Sequence, residues 1–114
     1  MSNKLTAQNA KPSDWRAWIN VMPGSAPTLH VLGDIDMGNE SDGATLSFDC
    51  LEKIMPPNLV LRIGLKTIFI PRPKGETRVT LHYTHPFAPG QVGAVVIVYP
   101  DGTHLRIDQI GIAT

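Results

Sequence analysis

Between residues 29 and 99 the chain repeatedly sets apolar residues two apart, the period of an extended strand with one face buried. In TLHVLGDI, Leu29, Val31 and Ile35 share one face. ATLSFDC places Ala44, Leu46, Phe48 and Cys50 in phase, LVLRIGLK does the same with Leu59, Leu61, Ile63 and Leu65, and TRVTLHYT with Val79, Leu81 and Tyr83. The apolar phase then slips to Ile68 and Ile70, which predicts a bulge or corner near Thr67. VGAVVIVY (92–99) is apolar on both faces and reads as a central strand. THLRIDQI follows across YPDGT, whose Pro-Asp-Gly centre is a hairpin signal.

Turn clusters at MPPN, PRPKGE and HPFAPG separate these segments, and ten prolines and ten glycines favour short strands over long helices. The spacing predicts an all-β fold, a single-domain antiparallel β-sandwich of six or seven strands and immunoglobulin-domain size. Residues 13–114 form the domain, and the polar residues 1–12 read as a disordered tail. A chain of 114 residues fits one domain, and no internal repeat divides it.

SDWRAWINVMPG (13–24) is the segment with helical spacing. Ser13 can cap, Asp14 suits a first turn, Trp15, Trp18, Ile19 and Met22 fall at i, i+3, i+4 and i+7, and Pro23–Gly24 stops the run. The expectation is a short N-terminal helix or turn packed over one end of the sandwich, with both indoles closing the core. Two alternatives stay open: Trp15 and Trp18, with Tyr83, form a solvent-facing platform for a sugar or peptide, or the segment is a strand.

The same stretch carries a resemblance. Trp15, Trp18, Asn20, Met22-Pro23-Gly24, Pro27-Thr28-Leu29-His30-Val31 and Gly33 resemble the opening of a family of small bacterial proteins, W-x-x-W-x-N-x-M-P-G followed by P-x-L-H-V-x-G. MPPNLVLRIGL (55–65) is similar to a second shared block, although no glycine stands ahead of Asn58. The resemblance implies a compact, β-rich bacterial domain and carries over no activity and no functional residue.

Charge and composition exclude several functions. Ten acidic residues balance ten basic ones, so no global field draws the chain to nucleic acid or to an anionic membrane. The longest apolar run, 92–99, is far below the roughly 18 residues of a membrane helix. The amino terminus lacks the apolar core of a secretory signal and Cys50 is the only cysteine, which points to the cytoplasm.

No G-x-S-x-G, phosphate-cradling glycine loop or H-E-x-x-H occurs, so no residue is assigned a catalytic role and no cofactor is expected. His82 and His85 stand three apart, and an odd spacing sends them to opposite faces of a strand. His30 and His104 lie on other strands, so the expectation is no metal site. A small metalloprotein or enzyme built on these histidines and a nearby Asp is the alternative. DIDMGNESD (34–42) fails the twelve-residue calcium template, with Gly38 at a ligand position and Thr45 where the bidentate Glu belongs, and reads as a hairpin turn. Cys50, in phase with Phe48, is expected to be buried.

From Asp34 to Glu52 all six charges are negative, whereas Lys53 to Arg78 holds six positive charges and Glu76. Strands 44–51 and 59–66 should therefore pair, with Asp49 facing Arg62 or Lys66. Alternatively, the basic segment around Arg72, Lys74 and Arg78 receives an acidic partner. The binding candidates are Trp15, Trp18, Arg72, Lys74, Arg78, His82 and Tyr83. The leading reading is a non-enzymatic binding or assembly module that takes a protein partner, or a second copy of itself, at a loop end or an edge strand. THLRIDQI is the expected edge.

Overall fold

The computed structural model describes residues 5–114 as two packed four-stranded sheets. The first sheet runs β5 (Arg78–His85), β2 (Thr28–Asp36), β1 (Trp15–Asn20), β8 (Ile110–Ala113). The second runs β3 (Asp42–Leu51), β4 (Leu59–Thr67), β6 (Val95–Val98), β7 (His104–Ile107). Pairing is antiparallel except for β1 with β8 and β4 with β6. The all-β sandwich stands, with eight strands where six or seven were expected. Among the described residues no helix is long and apolar enough to cross a membrane.

Most of the alternating residues behave as their phase demands, whereas Phe48 and Leu65, in phase with the core, stay exposed toward the ends of β3 and β4. Leu29, Val31, Ile35, Leu59, Leu61, Ile63, Leu81, Val95 and Ile97 meet between the sheets. β6 lies between β4 and β7, as its two apolar faces require, and the 99–103 turn places Gly102 at φ 91°.

The expected helix is overturned: Trp15–Asn20 is a strand between β2 and β8. In so short a segment the spacing i, i+4 satisfies both periods, and a strand takes Trp15, Ala17 and Ile19 inward while Trp18 goes outward. The sheet also satisfies peptide groups that a two-turn helix would leave open at its ends. Helical turns in the described residues are confined to Ala7–Asn9 and Pro12–Asp14. Of the expected tail, residues 1–4 lie outside the described residues. From Leu5 onward the segment lies on the sandwich: Leu5, Ala7 and Ala10 pack against the core and the Ala7 N–H donates to Thr103 Oγ1 at 2.8 Å.

Three further expectations are corrected. Cys50 is exposed, because a bulge at Asp49 lets Phe48 face Leu61 and then sets Cys50 opposite Val60, reversing the phase. THLRIDQI divides: β7 stays in the second sheet, Asp108 and Gln109 turn, and β8 joins the first. Residues 37–41 make no hairpin, since they carry the chain from β2 to β3 in the other sheet. There Asp36 Oδ1 accepts from Gly38 N–H at 2.9 Å, and Asn39 Oδ1 accepts from the N–H groups of Ser41 and Asp42. The Gly38 N–H, and after it the Thr77 side chain, hold the Asp36 carboxyl below its usual range. Near Thr67, where a bulge or corner was expected, β4 ends; the apolar phase does not pass to Ile70, since Phe69 and Ile70 are almost fully exposed (101% and 84%).

At the core's centre the Trp15 indole N–H donates to the Tyr99 hydroxyl at 2.9 Å. Burial pushes the Tyr99 phenol up from its ordinary value. A group whose folded pKa is raised contributes stability that is present below its unfolded pKa and lost as pH rises through the folded one. Stability is therefore expected to fall above about pH 10. In Tyr99→Phe this alkaline decline should shrink, while neutral-pH stability drops by about 1–3 kcal/mol because the indole N–H loses its acceptor. Urea unfolding at pH 7 and pH 10.5 (about half a unit above that midpoint) measures both.

Candidate functional site

The outward residues of β1, β2 and β5 build a polar-aromatic ladder on the outer face of the first sheet. Trp18 and His30 are register partners, with ring centroids 5.2 Å apart and planes within 8°. His82 sits diagonally across β5, opposite Leu32, and its Nε2 lies 2.9 Å from His30 Nδ1. The His30 and His82 rings are within 11° of parallel with centroids 5.2 Å apart. That separation matches two imidazoles joined end to end through one N–H···N bond, so the pair lies side by side in nearly one plane. One ring nitrogen donates and the other accepts. The Arg16 guanidinium carbon lies 5.5 Å from the Trp18 ring centroid, and Arg16 makes no ion pair among the described residues.

The other candidates do not join this ladder. Trp15 is buried on the inner face. Tyr83 also faces inward, where its hydroxyl lies 3.1 Å from His85 Nδ1 and burial raises its phenol pKa. His85 stacks with Phe48 at 5.7 Å and packs on Phe87 at 4.7 Å, closing the sandwich between β3 and β5. Arg72 is a structural clamp: its guanidinium donates to the carbonyls of Asn39, Asp42 and Glu76 at 2.7–3.0 Å. Lys74 is exposed. Arg78 bonds to Asp34 and Asp14 at 3.3 and 3.4 Å, while Arg62 meets Asp49 at 3.0 Å across β3 and β4. Opposite charges thus pair within the chain at Arg62 and Arg78. As exposed pairs, each contributes at most about 1 kcal/mol.

Sequence reasoning missed His30 and Arg16 as members of the ladder. Both stand in outward phase of their strands, which was a usable signal once β1 is read as extended.

A second feature lies next to the ladder. The Val21 N–H donates to the Ala113 carbonyl at 2.8 Å, and in the parallel register of β8 on β1 this directs the peptide groups of Gly111 and Ala113 toward β1. Those of Ile110 and Ile112 therefore point away from the sheet, and the Ile112 side chain is 61% exposed. Among the edges, β3 and β5 close on each other, and β7 carries His104, Arg106 and the Arg106–Asp108 ion pair. The expected edge, THLRIDQI, does contribute β7 at the rim of the second sheet. β8, Ile-Gly-Ile-Ala, has no charge, proline or bulge to blunt it. No family model, curated protein or solved structure matches the chain.

Proposed function

We propose that the chain is a non-enzymatic assembly module that pairs with a second copy through β8. The outward peptide groups of Ile110 and Ile112 carry this reading. Antiparallel pairing of two β8 strands about a two-fold axis at Gly111 sets Ile110 of one copy against Ile112 of the other. The residues with outward groups then exchange N–H···O bonds. Gly111 meets itself at the non-bonded position, where the strands come closest, at about 4.5 Å between Cα atoms. The result is a continuous eight-stranded sheet from two four-stranded ones. A four-residue contact is small, so pairing depends on protein concentration. A single exposed thiol, Cys50, suits a reducing compartment and supports a cytoplasmic setting.

Light scattering across a concentration series tests the proposal. Mass is expected to rise from one copy toward two. Ile112→Pro removes only the outward N–H and Ile112→Lys charges the edge, so both should stay single with an almost unchanged melting temperature. Gly111→Cys, in a Cys50→Ser background, should form an intermolecular disulfide on mild oxidation. The added Cβ meets only Trp18 Cβ at 3.7 Å and the Ala17 carbonyl at 3.9 Å, ordinary contacts. A wild-type chain that stays single at about millimolar concentration, together with no Gly111→Cys cross-link, would refute this pairing.

A further inference from the structure

The His30–His82 pair brings two imidazole nitrogens together on the outer face of the first sheet. His30 Nδ1 and His82 Nε2 stand 2.9 Å apart. In the hydrogen-bonded pair these nitrogens face each other end to end, so an ion enters only after one ring turns. His82 is exposed on the edge strand β5, so it can swing until the two lone pairs converge.

We propose that His30 and His82 form a two-nitrogen surface site for a divalent transition ion of square or tetragonal preference, copper(II) above nickel(II), with water completing the coordination. A ligand set of imidazole nitrogen and water suits these ions, and copper(II) binds nitrogen ligands most tightly in the divalent series. Entry of the ion displaces the proton shared by the two rings. That proton moves to the outer nitrogen of its own imidazole, so both rings stay neutral and no net proton is released. Trp18, stacked on His30 at 5.2 Å, lies beside the bound ion. Among the described residues no third His, Cys, Asp or Glu joins the pair, which leaves open coordination positions. The site stands whether or not copies pair at β8.

Copper(II) sulfate titrated into the full chain, in a Cys50→Ser background and a non-chelating buffer at neutral pH, tests the inference. Binding of one ion per chain is expected, with saturable quenching of indole emission and a paramagnetic resonance spectrum showing two nitrogen ligands. His82→Gln and His30→Gln should each weaken binding at least tenfold, whereas His104→Gln should leave it unchanged. Trp18→Phe should lose most of the quenching but keep the resonance spectrum. Nickel(II) should compete more strongly than zinc(II). Circular dichroism of each variant checks that it folds, and His82, being exposed at an edge, is the variant least coupled to folding. Absence of stoichiometric copper, or equal affinity in the folded His82→Gln chain, overturns the site.

Discussion

Gly33→Ala is expected to destabilise the chain by more than about 3 kcal/mol. Trp15 and Gly33 are register partners on β1 and β2, and the indole lies across the glycine. A Cβ at position 33 would stand 2.2–2.4 Å from three carbons of that ring. Neither side can give way: the ring is buried against the second sheet and anchored to Tyr99, and the methyl is fixed to a central strand. Overpacking of this kind costs about 1–3 kcal/mol when a core relaxes and more when it cannot, against a total stability of about 5–15 kcal/mol. The test is a double-mutant cycle by urea denaturation. Gly33→Ala combined with Trp15→Leu should be more stable than Gly33→Ala alone, because the smaller side chain vacates the clash. If Gly33→Ala unfolds within about 0.5 kcal/mol of wild type, the indole does not lie over residue 33.

Trp15→Ala is expected to cost about 3–5 kcal/mol, and Trp18→Ala only on the order of 1 kcal/mol. Trp15 loses core packing and leaves the Tyr99 hydroxyl without its indole donor. Trp18 loses the His30 stack and the cover over Gly111 on a face that already meets water. Emission should divide likewise: a blue-shifted component resistant to acrylamide disappears in Trp15→Phe, and a quenchable one in Trp18→Phe. Equal costs for the two alanine variants would mean that β1 does not split its indoles between the faces.

Period-two patterning made most of the sandwich legible, because burial on one face leaves its mark on every second residue of β2 and β5. It failed where the mark was ambiguous or interrupted. Trp15 and Ile19 fit a helix as well as a strand, and only the bonding partners of β1 decide between them. The bulge at Asp49 leaves no local signal, so Cys50 was assigned to the wrong face. The outward phase of Trp18, His30 and His82 could be read strand by strand. Their contact could not, since it depends on the order β5-β2-β1 and on the register that sets Trp18 against His30. Pairing of Asp49 with Arg62 was legible because adjacent strands with opposite charges have few registers open to them.

β1 sits between a neighbour close in sequence, β2, and one supplied from the far end of the chain, β8. While the polypeptide emerges from the ribosome, one flank of β1 thus waits until six further strands have been made before its lasting neighbour exists. Closing so long a loop is entropically slow, so maturation of this sheet is a late event. Throughout that interval the nascent chain carries an adhesive flank that must be shielded from other nascent chains.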